Sequence, residues 1–291
     1  VQQCQFTLNS VALLPVSWKN RLHQNSGREA ECFMLVFIGG TGFTQLPGFK
    51  ASREIIISTP YSDEPVTLVC GKLGDSGQEI GFLPRHGAGH TLPPHCINYR
   101  ANVFALREAG ATAILAVNAV GGIHAEMGPG VIAVPDQIID YTHGREHTFF
   151  DGRLTGIDSP DQFSATVTHV DFTDPYDQAL RQLLISSASD VQVPVWPQGV
   201  YGATQGPRLE SPAEIRRMLR DGCDMVGMTG MPEAGLAKEL SLPYACIALS
   251  VNWGAGLSNE VITVEGIRQV LASGMDSIQA VLLRAAGCYT G

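Results

Sequence analysis

Arg85 and His86 stand in the run Leu83, Pro84, Arg85, His86, Gly87, Ala88, Gly89, His90, where a fixed cation, an imidazole and two glycines share one short stretch. These residue types suit an oxyanion. A guanidinium is a permanently charged planar donor fork matched to phosphate or carboxylate, and glycine lets backbone amides approach an anion with no Cβ in the way. Taken alone, such a loop is more often ordinary solvated surface than a binding site, so the reading depends on what else the chain supplies. A second glycine turn, Gly39, Gly40, Thr41, Gly42, adds a hydroxyl and open amides, as fitting for an anion as for a tight exit from a strand. It is not a dinucleotide fingerprint: counting G-x-G-x-x-G from Gly40 and Gly42 puts Gln45 where the third glycine belongs. Gly71 and Lys72 lack both the upstream glycine and the downstream Ser or Thr of a Walker loop. His86, His90, His95 and Cys96 are interrupted by Gly87, Gly89, Pro93 and Pro94, so they do not share a helix face as zinc ligands in HExxH do. Structural roles are expected for His90, His95 and Cys96, and no metal is expected. No G-x-S-x-G elbow supports a nucleophilic serine.

Alternating elements must carry these groups. Met34 to Ile38 is an apolar run that reads as a first buried strand, and Val66 to Cys70 as a second. Asn98 to Ala109 reads as a helix stopped by Gly110. Ala113 to Val117 follows as a buried strand, expected to deliver Asn118 and Ala119 into a turn with Gly121 and Gly122. A helix is expected to start at Asp174 and Pro175. Ser211, Pro212, Ala213, Glu214 forms a capping box for another that stops near Gly222. Asp224 to Met228 reads as a strand, Pro232 to Leu240 as a helix, Tyr244 to Val251 as a long buried strand, and Ile267 to Ala286 as the last helix. The expected fold is α/β, a single domain with a mixed, largely parallel sheet flanked by helices, with ligands at the carboxyl ends of strands. That rule selects Thr41, Asn118, Met228, Thr229 and Asn252.

The chain has 291 residues, 44% of them hydrophobic, enough for one α/β domain with a substantial core. Its net charge of −9 and its pI near 5.3 would repel a nucleic acid, so no nucleic-acid partner is expected. Seven cysteines are scattered without a CxxC pair, which fits free thiols in a reducing compartment and makes the cytoplasm the expected location. No apolar run approaches the ~18 residues of a membrane span. Residues 1–33 show no sustained period, no cationic start and no A-x-A site, and read as an extension outside the domain, which is expected over 34–291. Met34 is the expected initiator, an expectation that a native peptide upstream of it would remove.

Several separated blocks resemble one family. Gly39, Gly40, Thr41, Gly42; Arg85, His86, Gly87 through Asn98, Tyr99, Arg100, Ala101, Asn102; Asn118, Ala119, Val120, Gly121, Gly122; Gly206, Pro207, Arg208; and Met228, Thr229 with Pro232, Glu233 are similar in order and spacing to the trimeric purine nucleoside phosphorylase and methylthioadenosine phosphorylase family. The likeness runs from Met34 to near the C terminus and is greatest to bacterial 5′-methylthioinosine phosphorylases. It implies that phosphate, held by Thr41, Arg85, His86, Asn118, Ala119 and Thr229, attacks the anomeric carbon of a purine nucleoside. No metal or organic cofactor is then needed, phosphate being a co-substrate, and a homotrimer is implied. Met228 is implied as a sugar contact, although by residue type alone it reads equally as core.

Base choice follows from hydrogen-bond chemistry laid over that resemblance. Adenine-using members carry Asp at the positions of Asn252 and Gly254. An ionised Asp would face the lone pairs of a 6-oxo group, whereas an Asn amide can donate to O6 and accept from a protonated N7. Glu210 can accept from the N1 hydrogen that a 6-oxopurine has and adenine lacks, although it also stands as a favourable charge before a helix start. Leu209 replaces the aromatic residue common in the family. Val264 falls where inosine-using relatives place a histidine, and a valine packs a thiomethyl group but cannot satisfy a hydroxyl. The expected activity is therefore phosphorolysis of 5′-methylthioinosine in purine salvage, with a general 6-oxopurine nucleoside phosphorylase as the nearest alternative and a methylthioadenosine phosphorylase behind it.

Overall fold

The computed structural model describes residues 34–40, 48–74, 79–151 and 167–291. The expectations for residues 1–33 and for Thr41 lie outside these residues. Met34–Gly39 (β1) is the first apolar run with one glycine added, and every residue in it is buried. A strand buried on both faces shows no polar alternation, yet its faces still divide. Val36 and Ile38 pack with Val103, Leu106 and Leu236, whereas Leu35 and Phe37 pack with Leu184, Ile278 and Leu282. The sheet is thus the middle of three layers. Tyr99–Glu108 (α1) and Gly230–Glu239 (α4) contribute to the first cluster, and Gln178–Asp190 (α2) and Val264–Cys288 (α5) to the second. Each fully buried Leu, Ile or Phe contributes about 1.5–3 kcal/mol, so the burial of these layers, rather than helix propensity, holds the fold.

The remaining strands are Phe49–Thr59 (β2), Ser62–Leu73 (β3), Glu79–Pro84 (β4), Ala111–Gly122 (β5), Ile132–Ala133 (β6), Gln137–Asp140 (β7), Val200–Ala203 (β8), Met225–Gly227 (β9) and Tyr244–Trp253 (β10). Their order is β2-β3-β4-β1-β5-β9-β8-β7, with β10 on β5 and β6 on β10. The pairs β1–β4, β1–β5, β5–β10, β7–β8 and β8–β9 are parallel, and β2–β3, β3–β4, β5–β9 and β6–β10 are antiparallel. One strand positions the site. β5 pairs with β1 over Ala111–Ala116 and with β10 over Ile114–Gly122, while Gly121 and Gly122 pair with β9 as well. The sheet divides at the end of β5, and Asn118 to Gly121 lie at that division.

Several expectations shift here. Asn118 and Ala119 are inside β5 rather than in a turn after it, because β10 supplies a parallel partner as far as Gly122. The helix expected at Asp174 begins at Gln178, capped by the Asp177 carboxylate, which accepts from Leu180 N at 2.9 Å. β2 has only the short apolar run Ile55 to Ile57 to announce it, and most of its residues are exposed at the edge of the sheet. Pro212–Asp221 (α3) matches its signature in full, with the reciprocal Ser211 and Glu214 bonds at its start and Gly222 at φ +93 as its stop.

Candidate active site

The parallel partners β1 and β4 end together, Gly39 opposite Pro84, and Arg85 N donates to Gly39 O at 3.1 Å. The side chain of Arg85 then turns inward and is 1% exposed. Its Nε and Nη2 donate to Glu233 Oε2 and Oε1 at 2.9 and 2.6 Å, and its Nη1 donates to Val117 O at 2.9 Å and Asn118 Oδ1 at 3.3 Å. Gly40 is required by this arrangement, since a Cβ there would lie 2.8 Å from both Arg85 Nη1 and Val117 O. Burial works against the charge on Arg85, and the Glu233 carboxylate more than offsets it, so the guanidinium stays protonated. Glu233, 1% exposed, also accepts from Tyr244 Oη at 2.9 Å. The cation expected to face an anion in the open is therefore already paired, with one Nη2 hydrogen left without a partner among the described residues.

Asn118 and Thr229 meet at one shared partner. Tyr201, on β8 and fully buried, accepts through Oη from Asn118 Nδ2 and from Thr229 N, each at 3.4 Å. Gly227 makes room for it, because a Cβ there would overlap the Tyr201 hydroxyl. Thr229 precedes α4 without using its side chain as a cap, which leaves the hydroxyl for another partner. His86 has its Nδ1 2.8 Å from Leu92 O. A carbonyl only accepts, so Nδ1 carries the proton and Nε2 holds a lone pair. Burial lowers the His86 pKa to about 4, aided by the nearby Arg85 and His90, against the Leu92 bond that favours the charged ring. At neutral pH the ring is neutral and packs 4.4 Å from His90, centroid to centroid.

A cavity of about 190 Å³ joins these groups to the base-reading candidates. Arg85, His86, Asn118, Ala119 and Thr229 are among the residues that line it, as are Met228, Asn252, Gly254, Leu209 and Glu210. Ten expected residues from separated parts of the chain thus share one space. Glu210 Oε1 accepts from Thr204 Oγ1 at 2.6 Å, which fixes the carboxylate and leaves Oε2 open. Asn252 spends one amide hydrogen on Trp253 O at 2.7 Å, and its second hydrogen and Oδ1 remain. Val264 is a correction. It is the first residue of α5, 67% exposed, and does not line the cavity. Helix geometry explains this: with Thr263 as the cap, Val264 points outward, and Ile262 before the cap and Ile267 one turn on supply the apolar wall instead.

The chain and its sheet match known proteins. Residues 35–286 match the model of the phosphorylase superfamily. The chain belongs to the phosphorylase superfamily. A probable S-methyl-5′-thioinosine phosphorylase of Pseudomonas syringae pv. tomato is 52% identical to it over 248 residues, covering 85% of this chain and 96% of the relative. A 6-oxopurine nucleoside phosphorylase of Pyrococcus furiosus is 42% identical, covering 86% and 91%. The structure of methylthioadenosine phosphorylase from Schistosoma mansoni in complex with adenine superposes with a TM-score of 0.80 at 32% identity, covering 87% of this phosphorylase and 91% of that chain. Relatives named in this way are pentosyltransferases. Two residues that build the site carried no assigned role in the sequence: Glu233 is quoted only within a block, and Tyr201 not at all. An acidic residue and a tyrosine inside apolar segments were the available signals, but neither shows its partner until the strands are paired.

Proposed function

We propose that this phosphorylase cleaves 5′-methylthioinosine with inorganic phosphate, yielding hypoxanthine and 5-methylthioribose 1-phosphate, in purine and methylthio salvage. The observation that carries the reading is that Asn252 and Glu210 line the same cavity as Arg85, His86, Asn118, Ala119 and Thr229. The second group holds phosphate, together with Thr41, which the family resemblance adds to it. A phosphate oxygen closes on C1′ as the C1′–N9 bond breaks, and the bond's electron pair leaves on the purine. The phosphate beneath the sugar stabilises the positive charge that develops there. Neutral His86 meets a phosphate hydroxyl through Nε2, or takes up a proton when the dianion binds and raises its basicity. At the other end, Glu210 Oε2 accepts from N1–H and Asn252 donates to O6, and Asn252 Oδ1 accepts from N7–H once the departing base has taken a proton at N7 from solvent. Met228 and Leu209 flank sugar and base, beside Gly254.

Ile262 and Ile267 favour a thiomethyl over a hydroxyl at the 5′ position, since an apolar wall leaves a buried hydroxyl without a partner. No metal or organic cofactor takes part. The working form is a homotrimer in the cytoplasm, with residues 34–291 as the catalytic domain, acting on a small nucleoside and phosphate rather than on nucleic acid or membrane. The test is phosphate-dependent base release from methylthioinosine, methylthioadenosine, inosine and adenosine in parallel. Hypoxanthine chiefly from methylthioinosine is expected. Faster inosine cleavage would make this a general 6-oxopurine nucleoside phosphorylase, and adenine release would reverse the base assignment. Asn252→Asp is expected to lower hypoxanthine release roughly 100-fold; an unchanged rate would remove Asn252 from base recognition.

A further inference from the structure

Arg145 does not line the cavity, yet it holds the backbone of two of its walls. It is 9% exposed and lies over the Tyr99 ring, 5.2 Å from the centroid. Nη1 donates to Met228 O at 2.8 Å, Met231 O at 2.6 Å and Tyr99 Oη at 3.2 Å. Nη2 donates to Thr204 O at 3.2 Å and Gln205 O at 2.8 Å, and Nε to Gln205 Oε1 at 3.1 Å. Every donor direction of the guanidinium is thus used, and among the described residues no carboxylate pairs with it. A buried cation bound this way satisfies its hydrogen bonds through neutral dipoles alone.

The two Nη1 carbonyls bracket Thr229. At the second of them the chain leaves helical geometry, with Met231 at φ −117 and ψ 142, so the turn that presents Met228 and Thr229 to the cavity is closed by a side chain. The Nη2 carbonyls belong to the segment leaving β8, which leads to Glu210. There Thr204 donates through Oγ1 to Glu210 Oε1 and through N to Gly227 O at 2.8 Å. One planar fork therefore spans the turn carrying the sugar and phosphate contacts and the segment carrying a base contact.

We propose that Arg145 is a positioning residue that sets the distance between the base-reading segment, Thr204 to Glu210, and the phosphate-presenting turn, Met228 to Met231. The inference rests on the roles proposed above for Glu210 and Thr229. Reaction requires the phosphate oxygen and C1′ to be held within about 3–3.5 Å, and the two substrates are gripped by different segments. The β8–β9 pairing already ties the two segments at Ala203 and Gly227, and Arg145 extends that link beyond the strand ends, which helps turn two binding events into one aligned pair. Lysine cannot replace the link, because its single ammonium cannot reach carbonyls on both sides of a planar fork.

The test compares Arg145→Lys and Gln205→Met with the wild-type full chain, using methylthioinosine and methylthioadenosine. Arg145→Lys is expected to lower kcat about 100-fold and to shrink the preference for methylthioinosine about tenfold, because Glu210 loses its placement. Gln205→Met removes one acceptor and is expected to move the same ratio by a smaller factor. A purely structural role lowers the folded fraction and scales both substrates equally, so a wild-type ratio in both variants would overturn the proposal. Should Arg145→Lys fail to fold, the ratio in Gln205→Met decides. If the wild type cleaves no nucleoside with phosphate, the functional reading fails separately. Calorimetry with hypoxanthine and with inorganic phosphate then tests Arg145: weaker binding of both in the variant supports the positioning role, and equal binding overturns it.

Discussion

Arg85 and Arg145 are both at least nine-tenths buried, and they solve the problem of a buried cation in opposite ways. Arg85 meets a full carboxylate, Glu233, at 2.6 and 2.9 Å. Arg145 meets four backbone carbonyls and two side-chain oxygens. A carboxylate cancels charge, so Arg85 brings to the cavity little free charge and mainly an ordered Asn118 with one spare N–H. Carbonyls leave the charge uncancelled but fix the backbone that bears them. The residue with the more obvious sequence signature for anion binding is thus scaffold as well, while the one with no signature ties the site's segments together.

The sharpest way to break this comparison is to remove the carboxylate. Glu233→Ala leaves Arg85 as an unpaired buried charge and is expected to cost about 3–5 kcal/mol, read as a lower midpoint in urea unfolding. A loss below about 1 kcal/mol would mean that Arg85, like Arg145, is held well enough by neutral dipoles. A smaller effect is expected from Gly40→Ala, whose methyl would press on Arg85 Nη1 and Val117 O. The cost should be about 1–3 kcal/mol, accompanied by weaker phosphate binding in calorimetry. The smallest concerns His86, beside Arg85. Its folded pKa of about 4 lies below the ordinary 6.5, so between those values the unfolded chain takes up a proton that the native ring refuses. Its contribution is therefore complete above pH 6.5 and lost as pH falls toward about 4. Unfolding midpoints of wild type and His86→Gln should diverge across that window, and parallel curves would show the ring to be open to protonation in the fold.

Much of this architecture was legible beforehand where burial is complete and continuous. β1 and β10 read directly as apolar runs, and α3 from its capping box. The edge strand β2 was not, because its apolar run, Ile55 to Ile57, is short and follows Lys50, Arg53 and Glu54 on a largely exposed edge. In the site, Arg85, Asn118, Thr229, Asn252 and Glu210, expected from motif, strand-end position and resemblance, line one cavity. Val264 was misplaced by two or three residues, since which side of a helix start faces a cavity depends on the cap at Thr263 and on the angle at which α5 leaves it.

The sequence by itself determined the family, the alternation of strands and helices and the set of polar groups available for chemistry, because these depend on residue type and local spacing. Tertiary structure alone decided which of those groups are free to meet a ligand. Glu233 is 148 residues from Arg85 and Met228 is 83 from Arg145, and no local rule links them. Pairing, neutralisation and burial are properties of what the fold brings within about 3 Å, and they turned an expected open cation into a buried ion pair and an unremarked arginine into the clamp of the site.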